Sequence, residues 1–276
     1  MRFGFVATHG PVGELVALAR ETDEHGWDGF FTWDALSIAG NDGWDPWALL
    51  AAVAVRTSRV RLGAMVFAPA RHEPAALARQ VQTVDHLSGG RVVLPVGLGV
   101  DDDVAYSRLG RDVSLRERAE RLDDALAVLD AAAGGGEVTV HGHRSEVDGV
   151  WFAPGTVQRP RVPVWVVGAW PSRRSLARAA RWDGLVVQRL RSDAPADADV
   201  VRGSLEVIGE LRETEGRTGP FEVVVSEALP EDSAAAADRA AELADCGVTW
   251  WVHADWSDAT PMADHLARVR SGPPAG

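Results

Sequence analysis

The chain contains no lysine, so all 28 of its basic residues are arginine. Schiff-base catalysis and pyridoxal-phosphate chemistry both need a lysine amine, and a Walker-type phosphate loop needs a lysine beside its glycines, so all three are excluded. The single cysteine, Cys246, excludes an internal disulfide and any metal site built from several cysteines. An anionic ligand would therefore have to bind arginine, backbone N–H groups or a helix N-terminus.

Positive charge and long apolar runs are also scarce. The formal net charge is −12, which argues against a nucleic-acid surface, because neutralising phosphates needs clustered positive charge. No apolar run reaches the roughly 18 residues that a membrane-spanning helix needs, and the first residues have no signal-peptide layout. We therefore predict a cytoplasmic protein that binds neither nucleic acid nor membrane and acts on a small-molecule substrate.

What the chain does contain is a strict alternation of strand-like and helix-like segments. Eight short apolar runs, typical of buried strands, alternate with eight helical patterns along the 276 residues. This alternation predicts parallel strands with right-handed crossovers, and its length fits a single (β/α)8 TIM barrel over residues 1–276. A short excursion at 137–162, between the fourth helix and the fifth strand, holds two strand-like pieces. A doubly wound sheet is the alternative, and it would need fewer strands.

Helix starts and one acidic turn can also be predicted locally. Asp45 and Pro46 have the residue types of an N-cap and a first helical position. Ser114 and Glu117 have the spacing of a capping box, which predicts the start of the fourth helix. The acidic run 101–103 predicts a solvated turn.

The fourth and fifth predicted strands end in turns that suit an anionic ligand. Gly97 and Gly99 flank Leu98 directly after the fourth strand, and glycine there lets the backbone approach a ligand closely. The fifth strand leads into a helix N-terminus, where free N–H groups and the helix dipole favour phosphate. The residues predicted to bind a phosphate-bearing cofactor at these turns are Gly97, Leu98, Gly99, Gly168, Ala169, Trp170, Ser172 and Arg173.

Residues just past the other strands should converge on the same mouth, because the C-terminal ends of barrel strands share one face. This set is aromatic and holds few titratable groups: Trp33, Asp34, Phe67, Gln188, His253 and Trp256. The histidines His9, His72 and His253 are scattered without a metal-ligand spacing, so we predict no metal site. A mouth rich in tryptophan and backbone amides instead suits a flat, conjugated cofactor that carries a phosphate.

The polar residues near this mouth leave their roles open. Asp34 either accepts a hydrogen bond from a ligand or caps its own loop. His72 either donates a proton to the substrate or is an ordinary loop histidine, and His253 is either catalytic or packed in the core. We take His72 and His253 as candidate catalytic residues. The candidate substrate-pocket residues are Trp33, Phe67, Gln188 and Trp256.

Several segments, taken in order, resemble the bacterial luciferase-like superfamily of flavin- and deazaflavin-dependent oxidoreductases. The early matches are Gly-Phe-Phe-Thr-Trp-Asp at 29–34, Asp-Pro-Trp-Ala-Leu-Leu-Ala-Ala at 45–52, Thr-Ser-Arg-Val-Arg-Leu-Gly at 57–63 and Asp-His-Leu-Ser-Gly-Gly-Arg at 85–91. The later matches are Val-Gly-Leu-Gly at 96–99, Gln-Arg-Pro-Arg-Val-Pro-Val-Trp-Val-Val-Gly at 158–168 and Ala-Ala-Arg-Trp-Asp-Gly at 179–184. The resemblance spans nearly the whole chain.

The resemblance implies a TIM barrel with a flavin or deazaflavin ring over its mouth. The phosphate of that cofactor would lie at the turn 168–173 and near Leu98 and Gly99, and Asp34 would belong to the same binding site. A cis peptide without proline is expected behind the ring, at the position of Met65 and Val66. The cofactor would be either reduced FMN or F420, and the polar segment 191–199 is the nearest candidate lid.

Two positions depart from the deazaflavin branch of this superfamily. Ala35 stands where its dehydrogenases usually carry histidine, and Val100 stands where they often carry glutamate. We therefore place first a monooxygenase that uses reduced FMN and O2, with a separate flavin reductase as its partner. The alternatives are an F420-dependent reductase or dehydrogenase and a non-catalytic flavin-binding barrel. A hydrolase or isomerase barrel would need an acid–base pair, which the strand ends do not offer. Family members often pair as homodimers.

Overall fold

The computed structural model describes residues 1–38, 43–109, 114–192, 194–257 and 259–274. Its strands are β1 (Arg2–Val6), β2 (Gly29–Thr32), β3 (Arg61–Ala64), β4 (Leu94–Val96), β5 (Gly136–His141), β6 (Glu146–Phe152), β7 (Val164–Trp170), β8 (Gly184–Arg189), β9 (Glu222–Glu227) and β10 (Trp250–His253). Eight strands form one parallel sheet in the order β3-β2-β1-β10-β9-β8-β7-β4. The bridges Leu62–Val92 and Phe67–Val96 join β3 to β4. The sheet therefore closes into a (β/α)8 TIM barrel, which confirms the predicted fold class.

The helices connect the strands along the outside of the barrel. They are α1 (Val12–Glu24), α2 (Pro46–Ala54), α3 (Pro74–Ser88), α4 (Val104–Ser107), α5 (Leu115–Ala133), α6 (Arg173–Ala180), α7 (Ala198–Thr214), α8 (Ser233–Asp245) and α9 (Met262–Arg270). The caps follow the local sequence: Asp45 accepts from Ala48 N–H before α2, and Ser114 accepts from Glu117 N–H before α5. Within the described ranges, no helix combines the length and the apolar character that a membrane span requires.

Aromatic side chains fill the interior of the barrel at the N-terminal end of the strands. Phe31, Trp165 and Trp250 are at most 2% exposed, and their ring centroids lie 5.3 to 6.3 Å apart. Glycines face them where any side chain would collide. A Cβ at Gly29 would lie 2.6 Å from the Phe31 ring, and one at Gly184 would lie 2.7 Å from the Trp165 ring. The N-terminal half of the barrel interior is therefore a packed core. A ligand would enter at the mouth, which is the C-terminal end of the strands.

The excursion between α5 and β7 is an antiparallel hairpin of β5 and β6, as its two strand-like pieces predict. Its turn is held by the buried carboxylate of Asp124 in α5, which accepts from the N–H groups of His143, Arg144 and Ser145 at 2.6 to 2.9 Å. Gly142 packs so closely on this carboxylate that a Cβ there would lie 2.4 Å from its Cγ. The hairpin is thus fixed to the outside of the barrel, against α5.

The acidic run at 101–103 forms an exposed turn at Asp101 and Asp102, as predicted, but Asp103 differs from the prediction. Asp103 is only 1% exposed, and its side chain accepts from Ala105 N–H at the start of α4, a short helix that the sequence analysis does not predict. The same carboxylate accepts from the N–H groups of Leu36 and Ser37, in the loop after β2, at 3.2 to 3.3 Å. Asp103 is buried because it satisfies backbone groups of two loops at once.

Candidate active site

Asp34 is the most deeply buried charged group at the mouth. It follows β2, and its carboxylate is fully screened from solvent. It accepts hydrogen bonds from Ala68 N–H at 2.9 Å, from the Arg71 guanidinium and from His72 Nε2 at 2.9 Å. Burial opposes ionisation, but the hydrogen bond and charge of His72, the charge of Arg71 and the Ala68 N–H outweigh it. The pKa of Asp34 is therefore held below its ordinary value.

His72 reaches Asp34 from the loop after β3. Because the Asp34 carboxylate is ionised, it can only accept, so the His72 Nε2–H donates to it. This bond leaves the ring's Nδ1 as the atom that can take up or release a proton. The His72 side chain keeps 16% of its surface exposed, whereas the Asp34 side chain keeps none. The structure thus brings together two residues that the sequence analysis named separately.

Arg71 joins this pair to a third loop. It ion-pairs with Asp34, and its Nε lies 3.6 Å from Asp103 Oδ2. One buried network of charges therefore connects the loops after β2, β3 and β4. The sequence analysis missed both Arg71 and Asp103. Two signals could have identified them: Arg71 directly precedes His72 past a strand end, and Asp103 has the N-cap residue type before a helical run.

Tyr106, a third missed residue, covers the turn after β4. Its hydroxyl donates to the Leu98 carbonyl at 3.2 Å, and the Arg118 guanidinium stacks 4.2 Å from its ring centroid. Burial raises the pKa of Tyr106 to about 12, so its hydroxyl stays protonated at neutral pH. Beside it lies a cavity of about 90 Å³ that opens between the three loops. The cavity is lined by Leu36, Arg71, Ala105, Tyr106 and Leu109.

The glycines after β4 are explained by packing within the protein. A Cβ at Gly97 would lie 2.9 Å from Val66 Cγ2, and one at Gly99 would lie 2.6 Å from the Tyr106 hydroxyl. Gly99 also has a φ of +77°, which a residue with a side chain rarely adopts. These contacts account for glycine at both positions without a ligand. The prediction that Gly97, Leu98 and Gly99 bind a cofactor therefore rests on their place at the mouth.

The floor of the mouth is apolar and lies at the end of β3. The peptide bond between Met65 and Val66 is cis, as the family resemblance implies. Met65, Val66 and Val167 pack together at the top of the barrel interior. Such a surface suits one face of a flat ring system.

Two of the predicted tryptophans form one wall. The Trp33 indole N–H donates to the Thr8 carbonyl at 2.6 Å, which fixes its ring over the end of β1. Trp256 packs edge-on against Trp33, with ring centroids 6.4 Å apart and an interplanar angle of 83°. Gln188 is exposed on β8, two residues beyond the inward-facing Val186, so alternation directs it to the mouth.

Three other residues that the sequence analysis places at the mouth do not line it. Phe67 is 1% exposed and stacks on Trp47 of α2, with ring centroids 4.5 Å apart. The Trp170 ring lies against α7, where a Cβ at Gly203 would be 2.7 Å from it. Neither side chain lines the mouth, because both face the helix layer that surrounds the barrel.

His253 also faces the helix layer. It pairs in register with the outward-facing Phe5, whose ring centroid is 5.0 Å away, and its Nδ1 accepts from Leu229 N–H at 2.9 Å. Burial, together with the nearby charge of Arg268, lowers the pKa of His253 to about 4. The geometry is that of a neutral core histidine, and the structure does not bring His253 together with His72.

The predicted phosphate site lies at the start of α6. The Ser172 side chain caps this helix by accepting from Ser175 N–H, and the Ala169 N–H is already engaged by Ser175 Oγ at 2.9 Å. In the described part of the chain, no backbone partner takes the N–H groups of Arg173 and Arg174. The Arg173 side chain forms an exposed ion pair with Glu210 at 3.3 Å, which an incoming anion could displace at little cost. Gly168 faces the helix layer, because a Cβ there would meet Leu176.

A metal centre finds no support in the described residues, where no group of three or more histidine, cysteine, aspartate or glutamate side chains is arranged to hold an ion. The mouth instead combines an apolar floor, a tryptophan wall, one ionised carboxylate with its histidine and a helix N-terminus on the opposite side. These elements match the parts of a tricyclic cofactor with a phosphate tail.

Comparison with known proteins gives relatives in sequence and in fold. An uncharacterized protein of Mycobacterium tuberculosis is 33% identical over 214 residues, which cover 74% of this chain and 67% of that protein. The F420-dependent glucose-6-phosphate dehydrogenase of Gordonia bronchialis is 30% identical over 171 residues, which cover 57% of this chain and 48% of that protein. The F420-dependent tetrahydromethanopterin reductase of Methanopyrus kandleri shares the fold, with a TM-score of 0.80 at 14% identity over 99% of this chain and 98% of that one.

The family assignment rests on a still longer match. A sequence model of the luciferase-like monooxygenase family matches residues 1–241, which include the floor, the Asp34–His72 pair and the start of α6. The chain belongs to the luciferase-like monooxygenase family.

Proposed function

We propose that this luciferase-like oxidoreductase transfers a hydride between F420 and a small organic substrate at the mouth of its barrel. The observation that carries the proposal is the contact between His72 Nε2 and the buried, ionised Asp34 at 2.9 Å. Hydride transfer to or from a carbon–oxygen or carbon–nitrogen bond moves a proton as well, so it needs a group that exchanges protons near neutral pH. The His72 imidazole, held by Asp34 through Nε2, is the side chain at the mouth that can pass a proton to or from a substrate.

The Asp34–His72 pair supplies a histidine whose absence after Asp34 is the main argument of the sequence against F420 chemistry. Ala35 leaves the position after Asp34 without the histidine that deazaflavin dehydrogenases usually carry. In this chain a histidine from the next loop contacts the same aspartate. Asp34 orients the His72 ring through Nε2 and stabilises its protonated form, so that Nδ1 is the atom that exchanges a proton with the substrate.

The residues of the mouth fit the cofactor in a simple arrangement. Met65 and Val66 would support the ring from below, and the N–H groups of Arg173 and Arg174 would bind the phosphate at the start of α6. F420, when bound there, supplies the hydride or accepts it. The named relatives of 30% identity support this cofactor, because they are F420-dependent dehydrogenases.

A second candidate, which the sequence analysis places first, is oxygenation of an organic substrate by reduced FMN and O2. Two observations favour it: the matching family is described as luciferase-like monooxygenase, and Ala35 departs from the deazaflavin pattern. This function would require a separate flavin reductase to supply reduced FMN. The floor and the phosphate site would serve either cofactor.

The test is a titration of the purified protein with F420, FMN and, without oxygen, their reduced forms, followed by absorbance and fluorescence. Tight binding of F420 with weak binding of both FMN forms is the expected result. Tight binding of reduced FMN alone would replace the proposal with the monooxygenase, and binding of neither cofactor would refute both.

The role of His72 is tested by its replacement. His72→Gln should leave F420 binding intact but lower kcat by about 10²-fold or more, because glutamine can still hydrogen-bond to Asp34 but cannot transfer a proton. The matched control is His141→Gln, because His141 also contacts a carboxylate, Glu146 at 3.3 Å, but lies exposed on the hairpin. If both variants keep the wild-type kcat, His72 does not carry the proton.

A further inference from the structure

We infer that the mouth binds an uncharged, largely apolar substrate, and that Leu36 and Leu109 determine this specificity. The inference rests on the proposed function for the reaction but on independent observations for the substrate class. It separates this chain from relatives that act on a sugar phosphate, and it identifies the cavity beside Tyr106 as the place for an apolar substituent.

The first observation is a concentration of exposed apolar side chains around the mouth. We call the apolar rim the set Leu36, Val100, Leu109, Leu190 and Trp256, all of which lie in loops that follow barrel strands. Each of these side chains is 46 to 59% exposed. Single exposed apolar residues are normal on any protein, but several around one concave site mark a place where apolar surface is covered by a ligand.

The second observation is that two members of the apolar rim line one cavity. Leu36 comes from the loop after β2 and Leu109 from the segment just after the short helix α4, and both face the cavity of about 90 Å³ together with Ala105. Tyr106 presents a protonated hydroxyl that already donates to the Leu98 carbonyl. A volume of this size accommodates a small alkyl group or part of an aromatic ring, since engineered cavities of about 150 Å³ hold benzene.

The third observation concerns positive charge, which a phosphorylated or carboxylated substrate would need. Arg71, the only charged residue that lines this cavity among the described residues, is bound by the buried carboxylates of Asp34 and Asp103. Elsewhere near the mouth, Arg189 pairs with Asp197 at 2.6 Å and Arg118 with Asp101 at 2.7 Å. Each of these two pairs has an exposed carboxylate and would yield to an anion at little cost. An anion in the cavity, by contrast, would have to separate Arg71 from two buried carboxylates, so the cavity favours a neutral substrate.

The test measures substrate binding without relying on the cofactor. Prodan, a neutral naphthalene dye whose emission shifts to the blue in an apolar site, is titrated into the wild type, Leu36→Glu, Leu109→Glu and Leu87→Glu. Leu87 is the matched control, because it is 45% exposed, close to the 49% of Leu36, but lies at the C-terminal end of α3, away from the mouth. A carboxylate in the apolar rim should raise the Kd of prodan about tenfold, whereas the control should bind like the wild type.

A second measurement connects binding to turnover. With F420 bound, a neutral cyclic enone should oxidise the reduced cofactor, and Leu36→Glu should raise its KM about tenfold with little change in kcat. Glucose 6-phosphate should not reduce F420 in the wild type.

The outcomes separate the two proposals. Wild-type protein that fails to bind prodan, rim variants that bind it as tightly as Leu87→Glu does, or efficient turnover of the sugar phosphate would each overturn the inference about substrate. Failure to bind F420 would overturn the proposed cofactor alone, because the prodan titration does not depend on it.

Discussion

The buried histidine His253 should make the stability of the protein fall in mild acid. The residue is 7% exposed, its Nδ1 accepts from Leu229 N–H, and its neighbours include Phe5 and His265. Burial and the charges of Arg268 and His265 outweigh the opposing charge of Asp255, so the pKa is about 4, whereas an unfolded histidine has a pKa of about 6.5.

The sign and size follow from proton linkage. The folded-state pKa is depressed, so between about pH 6.5 and pH 4 the unfolded chain binds a proton that the folded chain does not. Stability from this group is therefore complete above about pH 6.5 and is lost as the pH falls towards 4. For the cited pKa, the loss between about pH 7 and pH 4.5 is about 2 kcal/mol.

The assay is urea unfolding at a series of pH values, compared between the wild type and His253→Asn. Asparagine keeps an acceptor near the position of Nδ1 for Leu229 N–H but does not titrate, so the free energy of unfolding should fall about 2 kcal/mol less over the same interval. His141→Gln, an exposed histidine on the hairpin, should keep the wild-type slope. If His253→Asn loses as much stability in acid as the wild type does, the histidine is not the neutral core residue described.

Two further predictions concern buried contacts. Asp34→Asn should lower the free energy of unfolding by about 3 kcal/mol in urea, because it removes the buried charge that pairs with His72 and one of the two buried carboxylates that face Arg71. Asp101→Asn, whose side chain is 81% exposed, should cost less than about 1 kcal/mol, and equal losses would contradict the burial argument. Gly203→Ala in α7 should destabilise by about 1–3 kcal/mol, because its Cβ would lie 2.7 Å from Trp170. In the control, Gly209→Ala in the same helix, the added Cβ meets nothing within 4 Å and should stabilise the protein by about 0.5–1 kcal/mol in thermal unfolding. A gain in stability at both positions would refute the close contact between Gly203 and Trp170.

The sequence predicts the barrel well because its signals are local and repeated. Alternation of strands and helices is enough to identify eight parallel units, and residues such as Asp45 and Ser114 show where helices begin. The strand to which each candidate residue belongs could be predicted too, although Gln188, His253 and Trp170 lie inside their strands and not in the loops beyond them. The cis peptide at Met65 and Val66 came from the family resemblance and is present in the structure.

The direction in which each side chain points was harder to predict. Period-two alternation from Met65 would turn Phe67 into the barrel, but Val66 packs with the interior beside Met65, so the alternation breaks and Phe67 faces α2. Likewise, the contact between the Trp170 ring and Gly203 depends on the position of α7, which no local sequence pattern predicts. The contact between Asp34 and His72 joins residues 38 positions apart, and only the closed barrel brings their loops together.

The aromatic filling of the lower barrel also bears on the order of events in a catalytic cycle. Because Phe31, Trp165 and Trp250 leave no passage below, everything that enters the site must also leave through the same opening. A ring seated on Met65 and Val66 is the deeper occupant, and a substrate that enters across the apolar rim covers it. The cofactor should then bind first and depart last, so initial-rate and product-inhibition patterns should be those of an ordered sequence. Random-order patterns would imply a second route into the barrel.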